Sequence, residues 1–299
     1  MEANYAYTLP YRITEDDRGR QAEFITQKSS FTMKNNEMYG VIRDMLQALE
    51  RDAALSWISE AYKEQLSPSK LKDILAFLSK QELVFLSEQP IDESERNLLI
   101  FLSQYTSNLR LYAEKMRAVT FCIYAGGNHT HKLAGLLAEL GLIYRYVELD
   151  ELEKLQAFDF VLVSVDSTQL SILDEIHERL YGRAPSLWSF VLFYSDSFMI
   201  SPILNQQNHI DYSCLKNQLK LPAGQHGISR NVLLENMGIN ELLLEAIISL
   251  TKLNIKTSYG KAIIFNASDR TLDVEKVYYM PRYNFKQKAV YLKRWDAER

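Results

Sequence analysis

Residues 119–150 read VTFCIYAGGNHTHKLAGLLAELGLIYRYVELD, and this stretch decides the fold. Val119 to Tyr124 reads as a buried strand, and Ala125-Gly126-Gly127 supplies the turn that follows it. Lys132 to Leu140 then places apolar residues at helical spacing and stops at Gly141, a residue suited to ending a helix. Ile143 to Leu149 is a second strand, which makes the whole a βαβ unit.

Downstream the alternation continues. Phe160 to Val165 reads as a third buried strand ending at Asp166, Leu170 to Leu180 as a helix, and Trp188 to Tyr194 as a fourth strand. Strands alternating with helices imply a parallel sheet of Rossmann type. Asn231 to Leu250 carries a long apolar helical pattern with Gly238 inside it. Ala262 to Asn266 and Asp273 to Tyr279 form an expected strand pair, turned at Ser268-Asp269-Arg270.

Upstream the pattern changes. Glu88 to Glu95 is a polar, proline-containing connection, followed by helical stretches at Asn97 to Tyr105 and Asn108 to Met116. At the N-terminus, Tyr5 to Ile13 and Ala22 to Gln27 are β-prone, with the charged turn Glu15-Asp16-Asp17-Arg18-Gly19-Arg20 between them, and Ser30 to Lys34 follows. Val41, Ile42, Met45, Leu46 and Leu49 mark one helix, and Ala54, Leu55, Ile58 and Tyr62 mark a second after a break at Arg51-Asp52. Ser67-Pro68 caps a third, whose buried stripe is Leu71, Ile74, Leu75 and Leu78, and Leu83 to Leu86 returns as a strand. The economical reading is an α/β chain with three parts. A winged helix-turn-helix spans residues 1–87, a helical linker 88–117, and a reduced Rossmann-like domain 118–299.

Charge bears on what the first part binds. The 299 residues carry 34 basic and 38 acidic side chains, a formal charge of −4. From Met38 to Phe85 six basic residues (Arg43, Arg51, Lys63, Lys70, Lys72, Lys80) face seven acidic ones (Asp44, Glu50, Asp52, Glu60, Glu64, Asp73, Glu82). A net −1 helical region does not neutralise phosphates, so an extended peptide is the better ligand than DNA. The border strand Ser30, Phe31, Thr32, Met33 and Lys34 is the expected place for an added strand, with Lys70, Asp73, Ile74 and Phe77 on the third helix reading its side chains. Phe77 also reads equally well as core.

Other chemistry is sparse. Gly126 and Gly127, with Asp150 after the second strand, are weak candidates for holding a nucleotide, because Asn128 and His129 stand where a phosphate needs close backbone approach. The turn is therefore read as structural. His129 and His131 are two apart, which does not converge on one helix face, and both read as polar loop residues. Cys122 and Cys214 are too few for a disulfide framework or a four-thiolate metal site, and Cys122 reads as core. With no basic apolar leader and no bilayer-length apolar run, the expectation is a cytoplasmic, metal-free protein.

The order of parts resembles a known family. A winged helix, then Arg96-Asn97-Leu98-Leu99 and Phe101 leading to Tyr105, then strand-Gly-Gly-helix, looks like the E1-like (ThiF-like) proteins that partner YcaO-type azoline-forming cyclodehydratases. The resemblance implies that the N-terminal module is a precursor-peptide recognition element. Departures from the family accompany it. Glu148-Leu149-Asp150-Glu151 runs directly toward Phe158-Asp159-Phe160, so the ATP-handling segment of active members is missing and no arginine clamp is evident. Cys214-Leu215-Lys216-Asn217 has Asn at the second position of the family's first zinc pair, and Pro281 to Lys286 has Tyr283 and Lys286 where the second pair would stand.

What the resemblance implies is a scaffold with no catalytic residue, cofactor or metal of its own. It would bind the leader of a ribosomal precursor peptide and present the core to a YcaO-type cyclodehydratase, with a flavin-dependent dehydrogenase as a further partner. It would dock its partner or a second copy of itself, the helix from Asn231 to Leu250 being one surface and interior packing the alternative for it. Nucleic acid and membrane are not expected partners. Two rivals stay open. One is an ATP-dependent adenylating enzyme, which would lose ATP binding on Asp150→Ala. The other is a transcriptional regulator, which would bind its promoter in a salt-dependent way.

Overall fold

The computed structural model describes residues 3–16, 21–34, 37–51, 53–156, 159–180, 187–204, 210–219, 231–251 and 260–278. These form a mixed α/β chain in two compact units. The first is built from the chain up to Ala118 together with Leu136–Leu142, and the second from Val119–Gly135, Ile143–Leu250 and the strands beyond Gly260.

In the first unit the elements run β1 (Tyr5–Thr8), β2 (Tyr11–Glu15), β3 (Gln21–Thr26), β4 (Ser30–Lys34), α1 (Glu37–Arg51), α2 (Leu55–Ala61), α3 (Pro68–Lys80), β5 (Val84–Ser87), α4 (Glu93–Ser103) and α5 (Leu109–Arg117). The single strand expected from Tyr5 to Ile13 is two strands in two sheets. Pro10 has no N–H to give a ladder, so pairing is interrupted there. β1 runs antiparallel to β5, with Tyr5 opposite Ser87 and Thr8 opposite Val84, whereas β2 joins the antiparallel sheet β2-β3-β4.

The helices follow the sequence pattern closely. The Ser67 hydroxyl accepts a bond from the Lys70 backbone N–H at 3.3 Å, Pro68 opens α3, and Leu71, Ile74, Leu75 and Leu78 are its buried stripe. They meet Ala22, Phe24, Ile42, Met45 and Leu46 in one apolar core. α4 starts four residues before the expected Asn97, because Asp92 caps it by accepting the Glu95 N–H at 2.7 Å.

The second unit contains β6 (Thr120–Tyr124), the start of α6 (Thr130–Glu139) as far as Gly135, β7 (Tyr144–Val147), β8 (Asp159–Asp166), α7 (Leu170–Leu180), β9 (Leu187–Phe193), β10 (Ser197–Ile200), α8 (Tyr212–Leu219), α9 (Val232–Thr251) as far as Leu250, β11 (Lys261–Asn266) and β12 (Thr271–Lys276). Its sheet order is β12-β11-β10-β9-β8-β6-β7. The expected parallel sheet is present in β7-β6-β8-β9, but β10, β11 and β12 extend it antiparallel. The cause is local. Tyr194 N–H bonds the Ser197 carbonyl at 2.9 Å, a turn too tight to return a strand parallel.

β8 is buried along nearly its whole length, as a strand covered on both faces must be. α9 is chiefly interior, with Leu234, Ile239, Leu242, Leu243, Ala246 and Ile247 buried. Gly238 lets it close on the sheet, since a Cβ there would lie 2.7 Å from Phe193 Cε1. Among the described residues no helix is long and apolar enough to cross a membrane.

Candidate functional site

β4 closes one side of the three-stranded sheet and leaves its other side open among the described residues. The phase of its hydrogen bonds is fixed at the hairpin, where Thr26 N–H bonds the Ser29 carbonyl at 2.8 Å and the Thr26 hydroxyl accepts from Ser29 N–H at 3.1 Å. In an antiparallel ladder alternate pairs are bonded. Phe24 with Phe31 and Ala22 with Met33 are therefore the bonded pairs, and Ser30, Thr32 and Lys34 turn N–H and C=O outward.

Side chains alternate in step. Ser30, Thr32 and Lys34 are exposed while Phe31 and Met33 are half-buried against the core. Phe31 stacks on Phe24 at 4.9 Å between ring centroids, and Phe24 meets Tyr39 edge-on at 5.9 Å. On its other side Phe31 meets Phe77 of α3 at 5.4 Å, with the rings at 85°. An aromatic row thus leads from the core to the surface and joins β4 to α3. The Lys28–Glu82 ion pair, 3.3 Å, ties the β3–β4 turn to the residues after α3.

Phe77 is 36% exposed, so it is neither fully core nor free. Lys70 and Asp73, at helical spacing from Phe77, are exposed on the same face of α3. Ile74 is 9% exposed and belongs to the core, where it lies beneath that face. The structure therefore joins β4 to Phe77 by direct contact through Phe31. The sequence pattern missed Phe24 and Lys28, although alternation at Ala22 and Phe24 is a legible signal for the former.

The glycine turn after β6 is built differently from an open cradle. A Cβ on Gly127 would lie 2.6 Å from the Ser164 carbonyl oxygen, and one on Gly126 2.4 Å from the Tyr124 hydroxyl. Gly127 N–H bonds the Tyr124 carbonyl at 3.2 Å, and Asn128 N–H bonds the Ser164 carbonyl at 2.6 Å. The Asn128 amide donates to Gln169 Oε1 at 2.7 Å. These donors brace the turn on β8. Asp150 lies in an exposed turn after β7.

The two histidines are not loop residues of one kind. His131 lies in the first turn of α6, with its ring 6.2 Å from that of Tyr146. His129 has φ of 57° and packs on Phe193 at 5.2 Å. Its Nδ1 stands 3.5 Å from a carboxylate oxygen of Glu235 in the first turn of α9, and Lys132 Nζ donates to the same oxygen at 3.1 Å. No sequence signal pointed to Glu235.

Cys122 is fully buried, and burial pushes its thiol up to about 11. Cys214 is buried in α8, where its N–H is capped by Asp211 at 2.9 Å. Pro281 to Lys286, including Tyr283, lie outside the described residues. Among the described residues no group of three His, Cys, Asp or Glu side chains is placed to hold a metal.

No family model matches the chain, and no curated protein sequence matches it. Solved structures do resemble it in fold. A heterocyclase in complex with substrate and cofactor has a TM-score of 0.61 at 15% identity, over 92% of this chain and 38% of that one. The heterocyclase TruD has 0.56 at 15%, over 94% and 42%. MccB of E. coli with ATP has 0.56 at 12%, over 93% and 98%. This chain thus spans about two fifths of the length of the heterocyclases and nearly all of MccB. At such identities the likeness is one of fold.

Proposed function

We propose that the chain is a peptide-binding scaffold in a peptide-modifying assembly. Its first unit is a winged helix, with a helical linker at 88–117, and takes the leader of a ribosomal precursor peptide as an added strand along β4. Its second is a reduced E1-like, Rossmann-type domain. Together they present the core peptide, in the cytoplasm, to a YcaO-type cyclodehydratase. Binding the leader raises the effective concentration of the core at the partner's reactive groups, so recognition is separated from chemistry.

One observation carries this reading: Ser30, Thr32 and Lys34 turn outward, beside the half-exposed Phe77, backbone groups that are unpaired among the described residues. Backbone bonds supply affinity there, and the Phe31–Phe77 surface with Lys70 and Asp73 supplies selectivity. The fold likeness to heterocyclases supports the assembly, as does the absence of a basic excess on the helical region.

The residues at the glycine turn do not fit a triphosphate. The N–H groups of Gly127 and Asn128 are spent inside the fold, the Tyr124 hydroxyl fills the space over Gly126, and Lys132 already faces the Glu235 carboxylate. An added phosphate would have to displace these bonds.

The test is a fluorescence polarisation titration with the leader of the precursor encoded beside this chain, run in parallel with an ATP titration. Saturable leader binding without ATP binding is expected. ATP binding that is lost on Asp150→Ala, with no affinity for the leader, would overturn the scaffold reading.

A further inference from the structure

We propose that β12 is a second docking edge, which accepts an extended segment of a partner protein alternating basic and apolar residues. β12 ends the seven-stranded order and pairs only with β11 among the described residues. All six of its residues are exposed.

Its free backbone groups can be assigned. Val277 N–H bonds the Gly260 carbonyl at 2.7 Å, in register with the β11–β12 pairs. Alternation then makes Thr271, Asp273 and Glu275 the residues bonded to β11, and turns the N–H and C=O of Leu272, Val274 and Lys276 outward. The edge offers three evenly spaced sites to an added strand.

Its two faces differ in chemistry. Leu272 and Val274 share one face, with Lys276 at its end, and are 57% and 50% exposed. Leu272 stands opposite Phe265, which stacks on Phe198 at 5.3 Å, and Phe198 meets Phe193 at 6.3 Å. An apolar row therefore crosses the sheet and ends uncovered at β12. Asp273 and Glu275 share the other face.

This pattern selects the occupant. A second copy pairing antiparallel through β12 keeps like faces together, and places acidic residues of the two strands opposite one another, which is destabilising. A strand with Lys or Arg on one face and aliphatic residues on the other matches both faces and extends the apolar row. The inference is independent of leader binding at β4.

The experiment uses the full chain and labelled peptides as long as β12. Alternating Lys-Val should bind, whereas alternating Glu-Val and a blocked Lys-Lys-Lys-Val-Val-Val should not. Val274→Pro removes one outward N–H without touching a β11 bond, and should weaken the Lys-Val peptide about ten-fold with unchanged melting temperature. Asp273→Lys with Glu275→Lys should reverse the preference toward Glu-Val, and gives an independent reading where the proline variant unfolds. Equal binding of the alternating and blocked peptides would overturn the proposal. So would a wild-type dimer that Glu275→Lys strengthens or Val274→Pro dissociates. Leader affinity at β4 should stay unchanged in all these variants, which separates this site from the first.

Discussion

The Phe77 and Phe31 rings pack edge-to-face, with centroids 5.4 Å apart and planes at 85°, so helix α3 and border strand β4 share one aromatic contact at the protein surface. Edge-to-face pairs of this kind are worth about 0.5–1.5 kcal/mol beyond the area they bury. The contact ties β4 to α3 while leaving part of Phe77 accessible.

Phe77→Ala should weaken leader binding about ten-fold or more while lowering stability by only about 1–2 kcal/mol, since the ring is partly exposed already. Lys70→Glu should weaken binding with no stability change. Polarisation titrations beside urea melts measure both effects, and unchanged affinity in the two variants would show that this face of α3 does not take the leader.

Neighbouring prolines in β4 should behave oppositely. Thr32→Pro deletes an outward N–H and should abolish strand addition in a folded protein. Met33→Pro deletes a bond to Ala22 and should unfold the sheet. Circular dichroism and peptide titration together discriminate them; equal stability of the two variants would show that the assigned phase is wrong.

Glycines along one segment should also diverge. Gly127→Ala forces a Cβ to within 2.6 Å of the Ser164 carbonyl and should cost about 1–3 kcal/mol. Gly135, inside α6, has open space around its Cβ position, and Gly135→Ala should stabilise by about 0.5–1 kcal/mol. Chemical denaturation midpoints moving in the same direction would contradict the packing described.

Asp92 gives a pH dependence with a defined sign. The Glu95 N–H, then the Ser94 hydroxyl, hold its carboxyl below the ordinary aspartate value of 3.8. A carboxyl lowered in the folded state adds stability above its unfolded value, and that stability is lost as pH falls through the folded value. Asp92→Ala should cost about 1 kcal/mol at neutral pH, and the difference from wild type should vanish in acid. Melts of both proteins from pH 7 down to about pH 2.5 follow this convergence; a constant difference would rule out the cap.

Thiol chemistry should report unfolding. Cys122 and Cys214 are both buried, and the Cys122 thiol is pushed up to about 11, so neither should react with a disulfide reagent at neutral pH in the folded protein. Both should react together on denaturation. Rapid labelling of native protein would contradict the burial.

Local signals in the chain were read well where they are strong. Ser67-Pro68 placed the start of α3, the apolar spacing placed α7 at Leu170–Leu180, and the run after Asp159 placed β8. β10 escaped because its four residues, Ser197–Ile200, are too short a run for a strand pattern to stand out. Pro10 marks the break between β1 and β2 locally, but the pairing of β1 with β5, 76 to 82 residues away, is revealed by no local pattern. At the candidate site, β4 and the exposed face of α3 were legible from alternation and helical spacing, but the Phe31–Phe77 contact joining them was not.

By itself the sequence determined the alternation of strands and helices, the caps, the apolar faces and the near-neutral charge of the helical region, because each is set by residues within a few positions of one another. Tertiary structure alone decided which edges stay open, that Tyr124 and Ser164 close around the diglycine turn, and that Glu235 answers a lysine 103 residues earlier. Those relationships arise from chain segments far apart in sequence meeting in space, where packing and hydrogen-bond satisfaction, rather than local propensity, select the partner.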